Sequence, residues 1–346
     1  MPVALTDPAA LCALPFDQII DVRSPAEYAA DHMPGAINLP ALDDEERARV
    51  GTIYKQISPF DARKIGAALV AQNVARHLQG PLADRPGGWR PLVYCWRGGQ
   101  RSGAVAVILQ QIGWRAETVQ GGYKSWRRLV VGMLHDRALP FRPVLIDGST
   151  GTAKTRLLAH LAEAGAQVID LEDMAQHRGS LFGGRGVQPG QKMLESRIAL
   201  ALSRFDPARP VYLEAEAAKI GNLLVPPTLW KAMLKAPRIE LCAPVAARVG
   251  YLVAAYGDVI ADPQRLSATL QALSPYHPAA QIAQWQEMAR AGDHAALAEG
   301  LIRLHYDARY ARAATRRAAP VAALHLPDLT DAALRAAAWR IMQDQG

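Results

Sequence analysis

The segment Tyr94-Cys95-Trp96-Arg97-Gly98-Gly99-Gln100-Arg101-Ser102 puts one thiol ahead of two glycines and two arginines. A second segment, Gly148-Ser149-Thr150-Gly151-Thr152-Ala153-Lys154-Thr155, is a glycine-rich turn ending in Lys-Thr. Glycines let successive backbone N–H groups curl around an anion. In the first segment that anion is a thiolate on Cys95, or the group the thiolate accepts. Arg97, Arg101 and the start of the following helix are expected to favour it. In the second, Gly148 and Gly151 shape a phosphate cradle, Lys154 supplies charge and Thr155 offers an oxygen to magnesium.

Each segment has alternatives. Cys95-x5-Arg101-Ser102 also satisfies a phosphatase loop, although Trp96 is bulky for one and no general-acid aspartate loop stands out. The second segment departs from Gly-x4-Gly-Lys-Ser/Thr through Ala153. A methyl group fits there if the backbone at Ala153 is helical. Acidic residues after nearby strands (Asp170, Asp173, Glu214, Glu216) are candidates to support a metal or phosphate, and Arg178 is a candidate phosphate or ribose contact. Each can equally be a solvated or salt-bridged surface group. Cys12 and Cys242 lack such neighbours and are expected to be packing cysteines.

The elements around these segments alternate. Ile19–Val22 reads as a strand, and Ser24-Pro25-Ala26-Glu27 as a capped helix start. Ala36–Leu39 is a strand, 61–77 a helix, and Pro91–Tyr94 a buried strand delivering Cys95. Ser102–Gln111 is the helix behind it, and Glu117–Val119 is a further strand. After 130–142, strand Pro143–Asp147 enters the phosphate turn, with a helix over Ala153–Glu163. Strands follow near 167–170, 211–214 and 238–241. The last hundred or so residues read as mainly helical. The fold class is α/β throughout. A thiol-carrying domain over 1–135 precedes a phosphate-loop domain over 140–346 with a helical, basic C-terminal part.

Composition sets limits. The 346 residues are half apolar, enough for two cores, and carry a net charge of +7. That charge favours an anionic partner. Tyr306, Arg309, Arg312, Arg316 and Arg317 interleave bases with an aromatic near the C-terminus. They can bind RNA by phosphate contact and stacking, or form a solvated helix face. No apolar run reaches membrane-spanning length, and the N-terminus lacks a secretory pattern. Three cysteines do not make a disulfide framework, so a reducing cytoplasm is expected.

The first half resembles a rhodanese domain. The carriers are Asp21-Val22-Arg23-Ser24-Pro25-Ala26-Glu27-Tyr28, His32-Met33-Pro34-Gly35-Ala36-Ile37-Asn38-Leu39-Pro40, Cys95 through Ser102, and Gly121-Gly122-Tyr123. In such domains Asp21 and Arg23 organise the sheet edge and loops. Over almost its whole length the chain resembles the bacterial tRNA 2-selenouridine synthase family. The order of the two domains matches, as do Val50-Gly51-Thr52-Ile53-Tyr54-Lys55-Gln56, Asp170-Leu171-Glu172 and His177-Arg178-Gly179-Ser180. The resemblance implies a transferase acting on tRNA that carries 2-thiouridine at the wobble position. Geranyl diphosphate would alkylate the sulfur, and selenium from selenophosphate would then replace the S-geranyl group. Cys95 would carry or deliver selenium, and the phosphate loop would hold the prenyl diphosphate, with magnesium as a candidate ion. The selenophosphate-producing enzyme is a candidate partner. Rival readings are an ATP-dependent sulfurtransferase or small-molecule kinase fused to a rhodanese domain, and a non-enzymatic tRNA-binding or sulfur-trafficking protein.

Overall fold

The computed structural model describes residues 2–315 and 317–344. It separates into two compact units. The first comprises residues 1–139 together with 189–204; the second comprises 140–188 and 205–346. The expected second domain, 140–346, is therefore interrupted. Helix Gln191–Ser203 packs on the first unit, because Ser196 Oγ accepts from Trp126 Nε1 at 3.1 Å and donates to buried Asp31 at 3.3 Å. Glu195 on the same helix pairs with Arg127.

In the first unit β1 (Gln18–Asp21), β2 (Ala36–Asn38), β3 (Pro91–Tyr94) and β4 (Glu117–Thr118) form a parallel sheet ordered β2-β1-β3-β4. Every residue of β3 is buried, as a strand covered on both faces requires. Glu27 closes the capping box of helix Pro25–Ala30 by accepting from the Ser24 N–H at 3.3 Å. Helices Pro59–Gln79 and Gln100–Ile112 contribute Val70, Val74, Val105 and Leu109 to the core around Ile20 and Val93.

In the second unit β5 (Arg142–Asp147), β6 (Gln167–Ile169), β7 (Pro210–Glu214), β10 (Arg238–Cys242) and β11 (Ala322–His325) form a parallel sheet ordered β11-β10-β5-β7-β6, while β8 (Lys219–Ile220) and β9 (Leu223–Leu224) make a small antiparallel pair. The edge strand β11 was not legible in the sequence. Its four residues alternate weakly and only Leu324 is buried. Helix Lys154–Glu163 follows the phosphate turn and buries Leu157, Leu158 and Leu161 in the sheet core. A separate helical cluster around Trp285, Leu266 and Leu301 accounts for the expected helical C-terminal part. Among the described residues no helix is long and apolar enough to cross a membrane.

Candidate active sites

The first site begins where β3 ends. Cys95 is 4% exposed and its side chain joins the core below, but every residue from Trp96 to Gln100 is exposed. The sulfur thus lies buried beneath an exposed loop. It accepts the Gly99 N–H at 3.3 Å and the Ser102 hydroxyl at 3.2 Å. Burial pushes the thiol up, but the Ser102 hydroxyl and the N–H groups of Ser102, Gly99 and Arg97 outweigh it, so the thiol lies below its ordinary value. The loop keeps its shape through close backbone approach. A Cβ on Gly122 would stand 2.2 Å from the Cys95 carbonyl oxygen, and Tyr123 N–H donates to that oxygen at 2.9 Å. The motif Gly121-Gly122-Tyr123 is therefore a clamp on the cysteine loop.

The arginines act differently from expectation. Arg101 pairs with Glu27 at 2.9 Å, and the Arg97 side chain is exposed, so hydroxyl and backbone donors, not guanidinium groups, bond the Cys95 sulfur. Glu27 lies lower than an ordinary carboxyl: burial raises it, and Arg101 more than reverses this. Asp21 and Arg23 form a buried ion pair at 2.6 Å, with Arg23 also donating to the Asp31 carbonyl and lying 4.0 Å over the Tyr123 ring. Their part is structural, as the sequence indicated. Cys12 is exposed and Cys242 half-buried, so Cys12 is not the packing cysteine expected of it; its helix, Ala10–Ala13, buries only Leu11.

The second site lies wholly within the second unit. Gly148 and Gly151 have φ of 145° and 86°, and a Cβ on Gly148 would meet the Leu241 carbonyl oxygen at 2.5 Å. Ala153 has φ 62° and ψ 31°, the left-handed region. The helical backbone expected to admit its methyl is absent; the methyl is instead accepted in a strained conformation and buried in the sheet core. Lys154 Nζ donates to the Gly148 carbonyl at 2.9 Å, and Thr155 Oγ1 to Glu172 Oε2 at 3.1 Å. Buried Arg248 ties the loop down, with Nη2 2.7 Å from the Thr150 carbonyl and 2.7 Å from Asp307.

These residues open onto a cavity of about 810 Å3. Lys154, Thr155, Asp170, Arg178, Glu172 and Glu216 line it. Glu214 does not: it is fully buried, with Oε1 unpartnered and Oε2 accepting from Leu171 N–H. Burial pushes Glu214 well up, reinforced by Asp170 and Glu172. Of the two acidic residues after β7, Glu216 is thus the one that faces the phosphate loop. Asp170 is partly occupied as a cap, accepting the Asp173 N–H at 2.7 Å, and burial raises it. Arg178 pairs with Asp258 at 2.9 Å and lies over the Tyr256 ring. Glu172 was overlooked as a site residue. Burial, with repulsion from Glu216, pushes it up to about 7, against the pull of Lys154 and Thr155. Its place in Asp170-Leu171-Glu172 was the available signal. The Thr155 hydroxyl and the Glu172 and Glu216 carboxylates are hard oxygen donors, and this set fits a magnesium ion shared with substrate phosphates.

Of the candidate RNA residues, Tyr306, Arg309 and Arg317 line the same cavity. Arg312 is exposed and does not line it; Arg316 lies outside the described residues. A narrow apolar recess of about 70 Å3 adjoins, lined by Phe182, Leu266, Leu297 and Leu301, and shares Thr150, Leu252, Tyr256 and Tyr306 with the main cavity.

Comparison with known proteins follows the same division. Residues 9–129 match the rhodanese-like domain, and residues 141–271 match the tRNA 2-selenouridine synthase AAA domain. The chain is 37% identical over 237 residues to a tRNA 2-selenouridine synthase of Nitrosomonas europaea, covering 67% of this chain and 61% of that protein. It is 36% identical to the Aeromonas salmonicida protein of the same name, covering 66% and 62%, and 34% identical to that of Marinobacter nauticus, covering 69% and 65%. The matched stretch thus spans less than two thirds of each of these relatives. The chain thus joins a rhodanese-like domain to a tRNA 2-selenouridine synthase AAA domain, and over about two thirds of its length it is similar to proteins named tRNA 2-selenouridine synthase.

Proposed function

We propose that this protein converts 2-thiouridine at the wobble position of tRNA to 2-selenouridine in two steps, prenylation and selenium exchange. The observation that carries the reading is the pairing, in one chain, of a hydrogen-bonded thiol beneath an exposed loop with a cavity lined by Lys154 and Thr155 that has an apolar recess. In the first step the 2-thio sulfur attacks C1 of geranyl diphosphate. The C–O bond breaks, pyrophosphate leaves, and the base gives up its N3 proton. Lys154 and the N–H groups of the phosphate loop would stabilise the departing pyrophosphate. Thr155, Glu172 and Glu216 would hold a magnesium ion, which neutralises phosphate charge when bound. The apolar recess would receive the prenyl chain; ten carbons would have to widen it.

The second step has chemical logic. Sulfur at C2 leaves poorly, whereas S-alkylation turns it into a thiol leaving group. Selenium supplied by selenophosphate adds at C2 and geranyl thiol departs. Water then cleaves any remaining Se–P bond. The Cys95 loop, with its inward N–H groups, would bind and deliver the anionic selenium donor.

Nucleosides from tRNA incubated with the protein, geranyl diphosphate and selenophosphate, resolved by mass, test this directly. Wild type should give both geranylated and selenated products. Cys95→Ala should accumulate the geranylated nucleoside, and Lys154→Ala should lose it. Full geranylation by Lys154→Ala would remove the diphosphate from the phosphate loop. Unmodified 2-thiouridine from wild type would refute the function.

A further inference from the structure

The open end of the phosphate cavity has its own chemistry. Beyond Lys154 and Thr155 its wall is built from Tyr276, His305, Tyr306, Arg309, Tyr310 and Arg317. Tyr276 is 59% exposed, and the exposed Arg309 guanidinium lies 4.8 Å over its ring. His305 is 6% exposed and shares a 2.9 Å hydrogen bond with His277, whose ring in turn stands edge-on to buried Trp285. Residues Ile302–Tyr306 form a π-helical turn, joined on one side to helix His294–Leu301 and on the other to helix Asp307–Ala314. Such turns occur frequently at functional sites. Here the turn brings His305 and Tyr306 to the cavity wall. Arg248 fastens the next residue, Asp307, to the Thr150 carbonyl of the phosphate loop.

We propose that this aromatic and cationic wall receives a single unpaired pyrimidine base of the RNA substrate, turned out of its strand, with Arg309 and Arg317 meeting the flanking phosphates. The inference rests on the prenylation reading above. C1 of a prenyl diphosphate is bonded to a diphosphate oxygen, so a diphosphate on the phosphate loop fixes C1 inside this cavity. The attacking sulfur must come within about 3–3.5 Å of that carbon. The base bearing it must therefore enter the same cavity, and only a splayed-out base can do so. Single-stranded bases are held by stacking on Tyr, His or Arg planes, with guanidinium groups on the backbone. The exposed Tyr276–Arg309 pair supplies both groups at the mouth. Burial, Arg309 and His277 hold His305 down to about 4, so a neutral imidazole faces the base at physiological pH.

The test uses full-length protein, geranyl diphosphate and an anticodon stem–loop RNA carrying 2-thiouridine at the wobble position. Tyr276→Ala and Arg309→Ala should each raise the KM for the RNA about tenfold, the expected loss for one stacked base. Affinity for geranyl diphosphate, measured by calorimetry without RNA, should stay at the wild-type value. Tyr276→Phe should restore the RNA KM, because the ring face is kept. A wild-type RNA KM in both alanine variants overturns the proposal, provided wild type geranylates. If wild type makes no geranylated nucleoside, the prenylation reading has failed instead, and this inference falls with it. If Tyr276→Ala weakens ATP binding but leaves the RNA KM unchanged, the wall serves the base of a nucleotide and the proposal is overturned.

Discussion

Replacing Ser102 by alanine should slow the chemistry of Cys95 without touching its exposure. The Ser102 hydroxyl donates to Sγ at 3.2 Å and is fully buried, so no solvent molecule stands by to replace it. A hydrogen bond to a charged group contributes about 1.5–3 kcal/mol. Its loss lowers the thiolate population below the thiol's titration by roughly 1.1 to 2.2 powers of ten, at about 1.4 kcal/mol per tenfold. The remaining thiolate is more basic and more nucleophilic, which recovers a little under half of that on a logarithmic scale. The net effect is alkylation about four- to fifteen-fold slower below the thiol's titration. Above the titration the order reverses, and the variant reacts somewhat faster. Iodoacetamide labelling across pH 6–10 or so, followed by mass spectrometry of the Cys95 peptide, excludes signal from exposed Cys12. Curves that coincide at every pH would show that the hydroxyl does not set the thiolate. The backbone N–H groups would then have to carry the whole effect.

Three further outcomes follow from the second unit and the buried ion pair. Glu172 keeps its proton to about pH 7 when folded but only to about 4.5 when unfolded. In that window the folded state holds more protons, so stability falls as pH rises, by up to about 1.4 kcal/mol per pH unit. Glu172→Gln should flatten this slope in urea titrations at pH 5 and pH 7 or thereabouts; an unchanged slope would assign the proton elsewhere. Ala153→Gly relieves about 1–2 kcal/mol of left-handed strain but loses about 0.8 kcal/mol of methyl burial and about 0.4–1 kcal/mol through the freer unfolded chain. Stability should stay within about 1 kcal/mol of wild type. Ala153→Val, β-branched at that φ, should be clearly less stable, and equal urea midpoints would refute the strain. Arg23→Ala leaves Asp21 buried without its ion-pair partner and should cost about 3–5 kcal/mol. Arg23→Lys should not restore it, since the guanidinium bonds both Asp21 oxygens and the Asp31 carbonyl; a full rescue of the thermal midpoint would contradict this.

Much of the architecture was legible because local chemistry decided it. Pro91–Tyr94 reads as a buried strand from its apolar run, and Ser24-Pro25-Ala26-Glu27 as a helix start from its cap. Gly148, Lys154 and Thr155 mark a glycine turn into a helix of the kind that can cradle phosphate. Cys95 is marked by the glycines after it. Each of these signals spans a few consecutive residues, so the chain carries them without knowing its fold.

What the sequence could not decide depends on residues far apart along it. The attachment of helix Gln191–Ser203 to the first unit turns on Ser196 meeting Asp31 and Trp126. The division of labour between Glu214 and Glu216 is a matter of which one the sheet buries. Arg101 looked like a thiolate partner until the fold brought Glu27 within 2.9 Å. Tyr276 carried no signal in the sequence, and Tyr306 read as an RNA contact or as part of a solvated helix face, until the cavity wall joined both to Lys154 and Thr155. Sequence alone therefore determined the α/β class of both halves and offered candidate groups for chemistry. Tertiary structure decided which of those groups are free to act, because burial and pairing arise only when distant segments meet.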